Sequence, residues 1–162
     1  MRSIAGDMNP NMPILAWDGK GSRLLCIYTK EGKTYMFVYD IIANIKRFTQ
    51  EIEGFDQILD AGFIFNANTL LFSAVKNGHS DIYTYDIEND KVKQVTNDVY
   101  DDLDPSFVAF PNKDGIIFSS NRPSTNAKSS DTALLNHNYN FFLITVFTTN
   151  RPELTQIKQL TN

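Results

Sequence analysis

The stretch that decides the fold is Asp101–Arg122, DDLDPSFVAFPNKDGIIFSSNR. It contains two apolar runs, FVAF at 107–110 and IIFSS at 116–120, separated by a turn ending in Asp114 and Gly115. An acidic cluster and Pro105 lead into the first run, and Arg122 follows the second. Short runs rich in aromatic and β-branched residues, punctuated by Gly, Asn and Asp, read as strands joined by turns.

The same arrangement recurs upstream at a fixed displacement of 46 positions. Leu24-Leu25 matches Leu70-Leu71 and then Ile116-Ile117, and Gly32 matches Gly78. Tyr39-Asp40-Ile41 matches Tyr85-Asp86-Ile87, Trp17 matches Phe63, and Phe72-Ser73 matches Phe118-Ser119. The units close alike, with FTQ at 48–50, QVTN at 94–97 and QLTN at 159–162. The last two endings lie 65 apart, so the third unit carries about 19 extra residues, supplied by the polar stretch 122–138.

Each unit therefore reads as four short strands, and in the second unit these fall at about 61–65, 69–75, 81–86 and 91–95. A four-stranded unit recurring every 40–50 residues is the pattern of a β-propeller blade. The predicted fold is all-β, with about three blades of four antiparallel strands. Blade one covers about 12–50, blade two about 58–97, and blade three about 103–162 with the insertion at 122–138. One four-stranded sheet has two faces to cover, and neighbouring blades cover them. Trp17 and Phe63 are expected as matching anchors of the first strands, and Phe107, Ile117 and Phe118 as core. Three blades leave two broad faces uncovered, and propellers usually have at least four. The expectation is thus a partial propeller, either a fragment or a ring completed by association.

The third unit resembles the WD40-like repeat of the TolB type. Asp104–Phe107, Asp114-Gly115 and Phe118–Arg122 carry the likeness, with Asp81–Tyr83, Asp86 and Val95–Asn97 continuing it in the second unit. The second unit departs from it in lacking the Ser-Asn-Arg ending, and the first is more divergent. The resemblance implies a bacterial, cell-envelope-associated propeller and a periplasmic location. Proteins of this type include the periplasmic partner of peptidoglycan-associated lipoprotein, and similar blades form gating or substrate-selecting domains of serine peptidases.

Composition agrees with a folded domain. The 162 residues are 42% hydrophobic and 12% aromatic, with a formal net charge of -4. An acidic chain whose basic residues form no dense patch lacks the surface that nucleic acid requires. No run approaches the roughly 18 apolar residues of a membrane helix, so no membrane insertion is expected. No signal-peptide pattern is present. Cys26 is the only cysteine and lies in the apolar run LLCIY, where it reads as a small buried hydrophobe.

Candidate chemistry is sparse. Asp101, Asp102 and Asp104 offer oxygen ligands of the kind a hard cation takes, but without the spacing of a calcium loop. The competing reading is a blade-to-blade turn in which Asp98, Asp101 or Asp102 caps backbone donors and Pro105 presets φ before the strand. Arg122 suits bidentate pairing and is expected to bond Asp104 or the Asp-rich turn. Asp104, Arg122, Asn121 and Ser119 are accordingly read as a structural latch. His79 and His137 lack metal-ligand partners at motif spacing. Ser73, Ser119 and Ser120 lie outside any nucleophile elbow, and EGKTY at 31–35 lacks the spacing of a phosphate loop. No catalytic residue, metal or cofactor is assigned.

The insertion combines Lys128, Asp131, Leu134, Leu135 and His137. It reads either as a surface loop or as a partner-binding arm whose leucine pair docks in a groove. The expected function is a non-enzymatic scaffold that binds another protein, with self-association as a further possibility. The alternative is an accessory propeller domain of a serine peptidase or another hydrolase.

Overall fold

The computed structural model describes residues 12–64, 68–110, 113–123, 139–145 and 157–161. They form three four-stranded antiparallel sheets, each a simple meander in chain order. Blade 1 contains β1 (Ile14–Trp17), β2 (Arg23–Lys30), β3 (Lys33–Asp40) and β4 (Ile45–Glu51). Blade 2 contains β5 (Gln57–Phe63), β6 (Thr69–Lys76), β7 (His79–Asp86) and β8 (Lys91–Gln94). Blade 3 contains β9 (Asp102–Phe110), β10 (Lys113–Ser120), β11 (Asn140–Ile144) and β12 (Ile157–Gln159). The first strands are neighbours, β1 beside β5 and β5 beside β9, as in an arc of propeller blades.

Repeated sequence builds repeated turns. The β2–β3 and β6–β7 hairpins are two-residue turns between Lys30↔Lys33 and Lys76↔His79. Their central residues, Glu31-Gly32 and Asn77-Gly78, all have φ between 53° and 81°. That is the I′-type geometry that glycine admits at low cost and that matches strand twist. In the next turn, Asp40 accepts the Ala43 amide and Asp86 accepts the Glu88 and Asn89 amides. Asn44 and Asp90, again 46 apart, take the left-handed conformation there and accept the Tyr39 and Tyr85 hydroxyls.

Two apolar layers join the blades. Leu25, Ile27, Met36 and Val38 of blade 1 pack with Leu70, Phe72, Ala74, Tyr83 and Tyr85 of blade 2. Leu71 and Ile82 of blade 2 pack with Ile116, Phe118, Phe142 and Ile144 of blade 3. Strand β6 is covered on both faces, because consecutive residues belong to different layers.

Three local expectations are corrected. β5 begins four residues before the predicted start, because its pairing with β6 runs on past a bulge at Leu59 to Ile58↔Ala74 and Gln57↔Val75. Trp17 is 57% exposed and anchors no layer, since it lies on the face of blade 1 turned away from blade 2. Ile117 is half-buried on the opposite end face, whereas Phe118 is buried and Phe107 packs beside it.

Candidate functional site: the polar seam between blades 2 and 3

The charged residues singled out in the sequence gather where blade 3 begins. Asp98 lies in the β8–β9 connection, Asp102 opens β9, Ser120 closes β10, and Arg122 follows it. Asp102 and Ser120 are fully buried, and Arg122 is 8% exposed. Arg122 Nη2 donates to Asp102 Oδ1 and Oδ2 at 2.8 and 2.7 Å, and Nε donates to Ser120 Oγ at 2.9 Å. Asp98 Oδ2 stands 3.1 Å from the same Nη2, in ion-pair contact without a hydrogen bond. The rings of Tyr100, Phe118 and Phe142 surround the guanidinium at 5.2 to 5.8 Å, adding cation–π attraction.

The other latch residues make separate connections. Asn121 Oδ1 accepts the Asp101 amide at 2.9 Å, while Asp101 Oδ1 accepts the Ser80 amide of blade 2 at 3.3 Å. Ser119 Oγ lies 3.2 Å from the Leu103 carbonyl and 3.4 Å from Asp104 Oδ2. Asp104 is exposed and sits at φ 50°, and Arg122's described polar contacts run to Asp102, Asp98 and Ser120 instead. The cause is a bulge: Leu103 pairs with Ser119 and Ser106 with Ile117, so Asp104 and Pro105 together oppose one residue. Regular alternation would place the Asp102 and Asp104 side chains on one face, and the extra residue breaks that alternation.

A second buried carboxylate completes the seam. Asp81 of β7 is 5% exposed and accepts Gln94 Nε2 at 3.0 Å and the Thr96 hydroxyl at 3.3 Å. The Thr96 oxygen in turn accepts the Ile82 amide at 2.9 Å. Burial pushes the Asp81 carboxyl above its ordinary value; Thr96 and Gln94 oppose the rise, and Asp102 and Asp98 add to it. Burial likewise raises Asp102, with Arg122 pulling against it. Sequence reading passed over Asp81 and Thr96 as partners, although both belong to the repeated motifs. Thr161, in the QLTN ending, accepts the Phe141 amide at 2.9 Å just as Thr96 accepts that of Ile82.

The seam between blades 1 and 2 uses different groups. Asp18, 5% exposed, accepts Arg23 Nε at 3.0 Å and the Ser22 amide at 2.8 Å. Burial acts upward on its carboxyl, but the bonds from Arg23 and Ser22 overcome it and hold the group at about 2. Arg23 reaches on to Asn68 and stacks over Phe63. A groove of about 360 Å³ opens beside the β2–β3 hairpin, lined by Tyr28, Lys33, Glu51, Ile52 and Phe55. Its lysine pairs with its glutamate at 2.9 Å.

These side chains tie strands and blades together. Among the described residues, no group of three or more His, Cys, Asp or Glu could hold a metal ion. Cys26 is half-buried, and burial pushes its thiol up, away from the reactive thiolate. Lys128, Asp131, Leu134, Leu135 and His137 lie outside the described residues.

No family model and no curated protein matches this chain. Solved structures do match. TolB from Acinetobacter baumannii is 18% identical with a TM-score of 0.62, over 92% of this chain and 32% of that one. The putative TolB from Agrobacterium tumefaciens is 14% identical with a TM-score of 0.57, over 94% and 60%. The tricorn protease is 15% identical with a TM-score of 0.63, over 97% and 18%. The shared fold is the β-propeller. The chain spans about a third of the Acinetobacter protein and less than a fifth of the protease, so the likeness concerns blades and their packing.

Proposed function

We propose that this chain is a non-enzymatic propeller scaffold that binds another protein, in the bacterial cell envelope. The observation that carries the reading is where its apolar surface lies. Leu15, Trp17 and Phe141 are 52 to 59% exposed on the outward faces of the end blades, and exposed apolar patches mark interaction surfaces. The buried charges support it, because each is engaged in holding strands or blades together. Blade boundaries near 12–50, 58–97 and 103–162 belong to the same proposal. So do a latch built from Asp104, Ser119, Asn121 and Arg122 and a partner-binding arm at 122–138. Association of copies to complete the ring is one form that the binding takes. Among the described residues no helix is long and apolar enough to cross a membrane.

The likeness to the tricorn protease, over 97% of this chain, favours one alternative: an accessory propeller of a hydrolase. One experiment separates the two. A photo-crosslinking residue placed at Leu134 is activated in an envelope fraction, alongside a Leu134→Asp, Leu135→Asp control. A protein captured by the first and lost from the second is the expected result. Capture of a hydrolase catalytic subunit supports the alternative, and equal yields from both variants defeat the binding arm.

A further inference from the structure

Blade 2 has one face toward the blade before it and one toward the blade after it. The backward faces are matched apolar surfaces. In blade 2, Leu70, Phe72, Ala74, Tyr83 and Tyr85 are each at most 2% exposed against blade 1. In blade 3, Ile116, Phe118, Phe142 and Ile144 are each at most 1% exposed against blade 2. Blade 1 carries the same face. Leu24, Cys26, Phe37 and Tyr39 stand 46 positions before Leu70, Phe72, Tyr83 and Tyr85. Register extends it to the first strand through Leu15↔Cys26↔Phe37 and Trp17↔Leu24↔Tyr39. Here, however, the face is open: Leu15 is 59% and Trp17 57% exposed, and the other four are half-buried.

The far end of the chain offers the matching seat. Blade 2 receives blade 3 on a forward face whose cross-strand pairs are Leu71↔Thr84 and Ser73↔Ile82. Blade 3 repeats that pattern as Ile117↔Leu143 and Ser119↔Phe141. Aliphatic and serine positions recur in the same places, with Phe141 in the position of Ile82. Phe141 is 52% exposed, Ile117 and Ser119 are half-buried, and Leu143 is 9% exposed. The molecule thus carries, at its two ends, the two complementary halves of an interface that it already forms twice inside itself.

We propose that the open face of blade 1 seats on the open face of blade 3 in a second copy, and reciprocally. Two such contacts close a ring of six blades from two chains, within the four to eight blades of known propellers. This deepens the scaffold reading, on which it rests, by naming a second copy as the chain's first partner.

The natural chain supplies its own reporters, since its only tryptophan and only cysteine both lie on the blade 1 face. Light scattering of the intact chain at micromolar concentration is expected to read twice the 18.4 kDa chain mass. On dilution, Trp17 emission shifts to the red and Cys26 reacts severalfold faster with a water-soluble thiol reagent. Leu15→Arg and Phe141→Arg alter exposed positions on opposite ends. Each is expected to give single-chain mass with unchanged circular dichroism. Mixing the two variants restores a two-chain species, because one unaltered contact remains. A natural chain that stays single at every concentration, a Phe141→Arg variant that remains doubled, or an open series of larger masses overturns the proposal. The scaffold reading fails separately, by the loss of its crosslinked partner.

Discussion

Arg122 is held by three kinds of contact at once: the Asp102 carboxylate, the Ser120 hydroxyl and a surround of three aromatic rings. Removing one member of a buried ion pair leaves the other charge without compensation. Arg122→Ala is therefore expected to lower stability by about 3 to 5 kcal/mol, read from the urea midpoint. Blade 2 has no such pair, with Ile58, Ala74 and the exposed Lys76 at the places of Asp102, Ser120 and Arg122. Importing those residues as Asp102→Ile, Ser120→Ala, Arg122→Lys should recover most of the loss. An equal loss in the triple variant would show that the charges also fix the seam's geometry. Tyr83 presents the opposite case. Its hydroxyl is buried with no hydrogen-bond partner among the described residues, and burial, aided by Asp81, pushes it up to about 12. Its ring stacks on Phe72 and meets Phe55 edge-on. Tyr83→Phe keeps those contacts and deletes the orphaned group, so thermal unfolding should show a gain of about 1 kcal/mol.

At the scale of the element, the threonine that ends a blade acts as a clasp. Thr96 accepts the β7 amide of Ile82 and donates toward Asp81, so Thr96→Val leaves two buried groups short of a partner. The expected cost is about 2 kcal/mol, with faster hydrogen exchange at the Ile82 amide. Unchanged exchange there would show that the amide finds another acceptor. This clasp was visible in the sequence as QVTN and QLTN, but its partner was not, because the amide it accepts belongs to an apolar residue with no mark of its own. The strands themselves were legible because facing residues recur together: Leu24 with Tyr39, Leu70 with Tyr85, and the turns at Gly32 and Gly78 between them. What pattern could not reveal is register. A bulge adds one residue without changing composition; one interrupts β5 at Leu59, and another turned Asp104 away from Arg122. Of the two partners expected for Arg122, it meets the Asp-rich turn, at Asp102 and Asp98, and not Asp104. Trp17 failed as an anchor for another reason: its face of blade 1 is turned away from blade 2, whereas Phe63 packs in the layer between them.

For the whole molecule, the two seams respond to acid in opposite directions. Asp18 sits at about 2 against an ordinary 3.8, so its contribution is complete above 3.8 and disappears as pH falls through about 2. Burial raises Asp60, Asp81 and Asp102, so the folded chain keeps protons that the unfolded chain has released. Their contribution is present below the ordinary carboxylate value and declines as pH rises through their folded values. Urea midpoints measured across the acid range should thus pass through a maximum near about pH 4 and decline toward neutrality. Asp81→Asn should flatten the decline, and a midpoint that climbs steadily to neutral pH would contradict the assignment. The meander order of every sheet has a kinetic consequence. Each strand pairs with the one synthesised just before it, across short segments in blades 1 and 2 and across the longer stretches 121–139 and 145–156 in blade 3. Short loops close at low entropic cost, and proteins dominated by local contacts fold faster than those that must pair remote strands. A nascent chain can therefore complete each blade before the next leaves the ribosome, and the slow event left to it is the docking of finished sheets.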